Sequence, residues 1–561
     1  MKKFTKFILV VVVLFLVYKC ANQQPPTGGD VDRIPPEVFE TSPLNGQTNF
    51  NEDYIQISFS EYVDKRSVKE AIFISPTIEG ELDYDWSGTD LTIYFEKDSL
   101  KPNTTYIVTV GTDVKDLNNG NNLENTITIA FSTGSKIDNG LITGKVFADD
   151  LLGTSIYAYK LIDSIEFNPL KTKPDYISQV SKDGTFQLLG LVNAKYRLLA
   201  IKDNFKDRLY NREDDYFGTT TKDIEITETD SVFANLKFKL TIEDTTKPSV
   251  QNITMTDQHH LFLELSEPVD TSKLFIENFT IVDSSTGISQ TPNFIYKGKS
   301  KTGQLLIAFL DTLNEDGNYF LHSSNLIDYA ENESAEEITS FVYNELKDTN
   351  FVKILDVKKQ FKDDQIDFVN PRLTLLLDDG VSLENIKRSV SFYDSRKNKL
   401  EVIVPKINDA EFNIDIKSKL EPKKEYSLEV NSNYLIDIAG NKLDSVFTYK
   451  VKTINDLDFS GVSGKVNYSG EHNTYVVLIT AEKKAVKNVY QQKAEEGSFN
   501  IERVIPGKYL AWAFEDSDSN SVYSFGNAEP FKFAERFIYY PDTLNLRPRW
   551  PVGDMVLDLN D

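Results

Sequence analysis

Cysteine is nearly absent from this chain: one residue in 561, Cys20. Intramolecular disulfides are therefore excluded, and stability has to come from hydrophobic cores. Histidine is scarce as well, with His259, His260, His322 and His472 as the full set. A zinc centre needs three or four converging ligands, and only His259 and His260 are near one another. As adjacent strand residues those two would point to opposite faces. Long apolar runs are also missing. The main one is the stretch Ile8 to Val17, about ten residues, too short for the roughly twenty that a membrane span requires. No Gly-x-Ser-x-Gly elbow, phosphate loop or His-Glu-x-x-His stretch occurs. We assign no catalytic residue and expect no enzyme. Basic residues are outnumbered, 61 against 86 acidic, for a net charge of −25. That balance repels nucleic acid and anionic headgroups, so no nucleic-acid partner is expected.

What is present is aromatic and apolar. Hydrophobic residues make up 40% of the chain, and 27 Tyr with 36 Phe stand beside three Met. Wholesale disorder is excluded, and aromatics suit the half-buried pleated face of a sheet. The length is too great for one core and points to four or five domains.

The N-terminus reads as an address. Lys2, Lys3 and Lys6 precede the apolar run, and a polar stretch from Ala21 to Gly29 follows Cys20. This resembles a bacterial lipoprotein signal, which implies a signal peptide over 1–19, lipidation of Cys20 and a linker over 20–33. Tyr18 and Lys19 stand where that pattern has small residues. The alternative is an uncleaved N-terminal anchor. Either reading exports and tethers the chain.

Strands with one apolar face then alternate with turns: Tyr54 to Ser60, Leu91 to Phe95, Thr105 to Val110 and Thr126 to Phe131. This is the period of an antiparallel β-sandwich. Pro36 and Ser42-Pro43-Leu44-Asn45-Gly46 open the set, followed by Ile57 to Glu61 with Val63-Asp64. Trp86-Ser87-Gly88, Leu100, Pro102 and Tyr106, the Asp116-Leu117-Asn118 turn and Phe131 to Gly134 complete it. The set resembles the bacterial Ig-like domains first described in S-layer proteins. Pro26 to Gly29, Asp32 and Pro35-Pro36 after a lipoprotein cysteine are similar to a group of Ig-like lipoproteins from the Bacteroidetes. The pattern returns twice. Leu261 to Asp270 repeats Ile55 to Asp64, and Leu313 with Tyr319 keeps the interval of Leu100 and Tyr106. Leu420, Pro422 and Tyr426 repeat it again, with Asp328-Tyr329-Ala330 and Asp437 to Asn441 as the turns. Such repetition marks a domain array.

The two other segments match each other. Asp183-Gly184-Thr185-Phe186 pairs with Glu496-Gly497-Ser498-Phe499, and Tyr196 to Asp203 with Tyr509 to Asp516. Each segment opens on a Gly-Lys-Val strand, at Gly144 and Gly464. They resemble the carboxypeptidase regulatory-like, prealbumin-type sandwich. The expected fold class is all-β, a tandem array of about five β-sandwiches. Ig-like domains are expected over 34–135, 244–347 and 348–455, the last diverged. Regulatory-like sandwiches are expected over 136–243 and 456–561.

The most site-like feature is the loop Glu515 to Asn520. Side-chain oxygens of Asp516, Asp518 and Asn520 can turn toward one centre and suit Ca²⁺. The competing reading is a β-turn closed by its own Asp and Asn side chains. The earlier copy has Phe205 where Asp518 would fall, and Glu213-Asp214-Asp215 could supply oxygens there. Asp116, Asp328 and Asp437 carry the same two readings, with the turn favoured. Phe531, Phe533 and Phe537 fit a core-facing strand, and Arg547, Arg549 and Trp550 could form a partner-binding patch. The expected function is that of a non-enzymatic scaffold or binding subunit, lipid-anchored at the outer membrane on its surface or periplasmic face. Expected partners are an outer-membrane barrel complex or a surface polymer. The alternative is a glycan-binding or glycan-processing accessory.

Overall fold

The computed structural model describes residues 32–78, 80–162, 166–482 and 488–560. Cys20 and the apolar run before it lie outside them. The chain is all-β, 46% strand and 5% helix. No helix among the described residues is long and apolar enough to cross a membrane.

Period-two alternation builds the first sandwich. Strand Tyr54–Phe59 buries Ile55, Ile57 and Phe59 completely. It lies in a sheet ordered Val38–Ser42, Tyr54–Phe59, Asp90–Tyr94, Asp83–Ser87, opposite a sheet of Ile72–Ser75, Thr105–Val110 and Ile127–Ser132. Leu91, Ile93, Tyr106, Val108 and Phe131 fill the space between them. The two repeats have the same plan. Val250–Asp257, His260–Leu265, Gln304–Ala308 and Phe294–Tyr296 face Ile288–Gln290, Phe279–Asp283, Tyr319–Ser323 and Glu337–Phe341. Then Ile354–Lys359, Arg372–Leu377 and Glu411–Ile416 face Val446–Thr453, Glu425–Asn431 and Val390–Asp394.

The residues that repeat in sequence close the same polar gaps in each copy. Buried Tyr106, Tyr319 and Tyr426 accept hydrogen bonds at their hydroxyls from the backbone N–H of Lys101 (2.7 Å), Asn314 (2.7 Å) and Glu421 (2.9 Å). Each satisfies a backbone donor where the chain turns into a strand, a net gain of about 1 kcal/mol. The Val-Asp pairs have a role that their sequence pattern does not disclose. Asp64 accepts from Ser67 N to cap helix Lys65–Ala71, and Asp270 accepts from Ser272 N to cap the 3₁₀ turn Thr271–Lys273. Ser382 replaces the aspartate as cap of helix Leu383–Ser389.

The two other sandwiches share a different plan, in which the last strand runs parallel to the first. Val232–Lys239 pairs with Gly140–Phe147, and Val552–Asp558 pairs with Ser460–Asn467. The parallel neighbour explains the glycine of each Gly-Lys-Val strand. A Cβ on Gly144 would meet the Leu236 carbonyl at 2.2 Å, and one on Gly464 the Met555 carbonyl at 2.1 Å. Tyr196 and Tyr509 both donate to a carbonyl four residues back, Val192 (2.9 Å) and Ile505 (2.8 Å).

The chain forms two compact units. In the first, which among the described residues holds those from 32 to 210, Phe217–Leu240 and Ala528–Pro530, two hydrophobic cores adjoin through polar contacts. Ile177 N–H donates to Ser75 Oγ (2.8 Å), and Gln179 Nε2 to Asp113 Oδ2 (2.7 Å). Gly190 at φ +68° leaves room for Ile107, whose Cδ1 would lie 2.6 Å from an added Cβ.

The second unit, holding Asn211–Tyr216, Thr241–Asn527 and Phe531–Asp561, has three cores. Tyr296 and Ala308, from one sheet, pack into the core around Leu375 and Phe412. Ile295 N–H donates to Asp409 Oδ2 (2.8 Å), and Tyr296 Oη to Asp379 Oδ1 (2.7 Å). Buried His260 bridges Asp257 Oδ1 (2.8 Å) and Asp379 Oδ1 (3.3 Å). Burial alone would lower its pKa, but the hydrogen bonds to Asp257 and Asp379 outweigh that and raise it to about 10. Further on, the Arg503 guanidinium stacks between Phe459 (4.2 Å) and Phe368 (5.0 Å) and pairs with Asp367 and Asp456.

That clamp makes a prediction. Arg503→Ala should loosen the 454–459 connection by about 1–2 kcal/mol, raising its cleavage by an added protease about 5–30-fold. Arg503→Lys, which keeps charge but not the planar stack, should fall between. An unchanged cleavage rate would show that the clamp contributes nothing.

Candidate functional site

In the last sandwich, strand Gly507–Asp516 buries its two faces differently. Tyr509, Ala511 and Ala513 enter the core. Trp512 and Phe514 point the other way and are covered by the segment that follows. Tyr523 meets Trp512, Phe514 and Phe537 edge-on at 5.6, 5.9 and 5.5 Å. This aromatic pinning fixes the loop, and Asp516 at the strand's end is carried to its base, only 1% exposed.

Three carboxylates converge there. Ligand oxygens of Asp516, Asp518 and Glu535 lie within 4.8 Å of one another. Asp516 Oδ2 accepts from Ser521 N (3.3 Å), while Oδ1 is buried with no hydrogen-bond partner. Glu535, also buried, accepts from Ser517 N (2.6 Å), Ser517 Oγ (2.9 Å) and Ser524 N (2.9 Å). Burial raises the Glu535 carboxyl above its ordinary range against those bonds, and the Asp518 charge adds to the rise.

The sequence set Asp516, Asp518 and Asn520 is brought together only in part. Asn520 turns back into the loop: its Nδ2 donates to Asp518 Oδ2 (2.9 Å) and its Oδ1 accepts from Val522 N (2.6 Å). An Asx turn saturates it, and Glu535 takes the third place. Glu535 lies far along the chain, and no local spacing signals it.

The related loop shows the turn reading in full. Asp203 Oδ1 accepts from Lys206 N (2.6 Å), and Oδ2 from Arg208 N (2.8 Å) and Tyr157 Oη (2.9 Å). Both oxygens are satisfied by the chain itself. Glu213 accepts from Thr245 N, and Asp215 from Asn211 N (2.9 Å). The turn at Asp116 is similarly self-contained. Oδ1 accepts from Asn119 N and Gly120 N, and Oδ2 from Asn121 N and Nδ2. Burial favours the neutral acid, but these donors outweigh it and hold the pKa below the ordinary range.

The C-terminal residues divide. Trp550 is 75% exposed at the tip between strands Leu544–Leu546 and Val552–Asp558. Arg547 pairs with it across the turn (Trp550 N to Arg547 O, 3.2 Å). Arg549, exposed, is tied to the preceding segment: its backbone N–H donates to Phe459 O (2.9 Å) and its Nε to Leu457 O (3.3 Å). Phe531 and Phe533 lie outside any strand and stack edge-on with each other, Phe533 being exposed. Only Phe537, in strand Phe537–Tyr539, is buried. The alternation expected over the three is interrupted by Ala534-Glu535-Arg536, where Glu535 turns to the acidic loop.

The bacterial Ig-like domain model matches residues 32–133. No curated protein matches the sequence. Among solved structures, the chain is similar to the N-terminal part of the bacterial S-layer protein SbsC, at 16% identity over 37% of this chain and 45% of that one (TM-score 0.17). It therefore spans under half of that protein fragment. It is similar also to domains MG0-NIE-MG1 of α2-macroglobulin from Escherichia coli, at 10% identity over 36% and 98% (TM-score 0.18). Immunoglobulin domains 1–4 of Sidekick-1 match at 12% identity over 68% and 91% (TM-score 0.20). At such TM-scores these likenesses carry no argument about function. The sheets and the family match define the class: an all-β chain of tandem sandwiches, the first of bacterial Ig-like type. Structural and binding proteins commonly have this architecture, and the fold by itself specifies no reaction.

Neutralising Asp516 separates a cation site from a plain turn. Asp516→Asn should stabilise the metal-free protein by about 1 kcal/mol by removing an unpaired buried charge. It should also abolish the rise in melting temperature that calcium gives to the last domain. If calcium leaves the wild-type melting profile unmoved, the loop is a turn only.

Proposed function

We propose that this protein is a lipid-anchored component of the cell envelope, tethered through Cys20 at the outer membrane, and that it works as a scaffold or binding subunit rather than an enzyme. The observation that carries the reading is how its domains adjoin within each compact unit. Ser75, Gln179, Asp409, Asp379 and Arg503 make buried or stacked contacts between successive cores. Such contacts hold neighbouring sandwiches in fixed register, which suits presenting a surface and adds nothing to a reaction. The basic, apolar and cysteine segments at the N-terminus support the tether.

The partner on this reading is an outer-membrane barrel complex or a surface polymer. Trp550, with Arg547 beside it, is the candidate anchor, since an exposed Trp-Arg pair is common at binding hot spots. Asp516, Asp518 and Glu535 hold calcium on the same reading and fix the loop that joins this strand to the aromatic cluster.

Two measurements test it. Metabolic palmitate labelling should mark the wild type and be lost in Cys20→Ala; an unlabelled wild type would end the anchor reading. Purification from crosslinked membranes should recover a barrel subunit, and Trp550→Ala should cut its yield several-fold. Retention on polysaccharide alone would favour a glycan-binding role instead.

A further inference from the structure

The tip of the last sandwich is built as a rigid knob. Its turn Arg547-Pro548-Arg549-Trp550 closes with Trp550 N–H donating to Arg547 O (3.2 Å), and the two end residues pair as an antiparallel bridge. Pro548 sits second in this turn and Arg549 third, at φ +69°. A type II turn has positive φ at its third place, which glycine or asparagine meets with less strain than arginine. Two further bonds fix the tip to the start of the domain. Arg549 N–H donates to Phe459 O (2.9 Å), and Ser460 Oγ donates to Trp550 O (2.9 Å). The knob is therefore ordered before anything binds it, which lowers the entropy cost of docking.

Its side chains are left open. Residues directly opposite in an antiparallel pair present their side chains to one face, so Arg547 and Trp550 stand side by side. No ring or cation among the described residues stacks on the exposed Trp550 indole. Among the same residues no carboxylate pairs with Arg547 or Arg549, and Arg549 engages only its Nε, on the Leu457 carbonyl. Leu457 is itself exposed and adds an apolar side chain to the patch. Asp456 on that segment is already paired with Arg503. That leaves Asp458 as the segment's one acid without an ion pair among the described residues, against two guanidiniums.

We propose that this tip docks an acidic peptide segment of a protein partner, with an apolar side chain against Trp550 and Leu457 and carboxylates on Arg547 and Arg549. The inference rests on reading the tip as the partner anchor, and it names the chemistry that the partner presents. A guanidinium fork matches a carboxylate with two parallel N–H···O bonds. Trp and Arg together are the residues in which binding hot spots are enriched. The turn carries donors and a ring face but no side-chain acceptor, which suits carboxylates better than the mixed donors and acceptors of sugar hydroxyls. The net charge of −25 repels an acidic segment over the surface as a whole. Screening cuts the reach of that repulsion to about 8 Å at physiological salt, so the two guanidiniums decide where the segment settles.

Panning a phage-displayed library of random peptides on the immobilised full-length chain tests it. Selected peptides should be enriched in Asp and Glu next to Leu, Phe or Tyr. Trp550→Ala and Arg547→Glu should each weaken their binding about tenfold or more. Arg547→Lys should weaken it less, because lysine keeps the charge but not the fork. Raising the ionic strength from about 0.1 M to about 1 M should weaken the wild type as well. Both substituted side chains are exposed, so the variants should melt with the wild type, and a lost fold would be recognised. Selected peptides without acidic enrichment, or ones that Trp550→Ala binds as well as the wild type does, would overturn the proposal. So would binding of polygalacturonate that Trp550→Ala abolishes, which would make the tip a glycan site. The assay uses no membrane and no acyl chain, so its failure is separate from a failure of palmitate labelling or of barrel recovery.

Discussion

Without disulfides, each sandwich keeps its two sheets together only through the apolar face of its strands, and everything else in this chain follows from closing the ends of those small cores. A sandwich end exposes backbone donors and acceptors to partial burial, and each must find a partner. Here a few recurring side chains supply them: the tyrosine hydroxyls at 106, 319 and 426, the caps Asp64, Asp270 and Ser382, and the turn aspartates. These positions repeat because the backbone geometry repeats, whereas the core residues between them are exchanged freely among Ile, Leu, Val and Phe.

Strand periodicity was therefore legible from the start, since it rests on a rule that every residue of a strand obeys. Sequence also exposed the tyrosine and turn positions, because a fixed interval ties each to a local backbone bond. What it could not expose lies between segments distant in the chain. Glu535 joins Asp516 and Asp518 through a loop whose path is set by Tyr523 against Trp512, and no local spacing encodes that path. Asn520 sits at a plausible ligand interval, yet its shortest reach is to its own loop, and the local bond wins. Arg503 showed no sign of its role, because Phe368 and Phe459 become its neighbours only when two cores meet.

The acidic turns differ in how far closing the turn uses up the oxygens of the aspartate. Asp203 and Asp116 have both oxygens occupied by N–H and O–H donors, and their charge is compensated locally. Asp437 and Asp516 have one oxygen so occupied and the other buried and unpaired. The same residue type in related loops thus differs by one missing donor.

The central claim is that successive sandwiches within each compact unit are fixed neighbours rather than loosely tethered beads. The amides of Ile177 and Ile295 report on it directly, because each donates to a side chain of the adjoining core, Ser75 and Asp409. Native-state hydrogen exchange at these two amides should show protection comparable to that of central strands such as Thr105–Val110 and Glu411–Ile416. Exchange at the rate of exposed loops, with the strand cores still protected, would contradict the account.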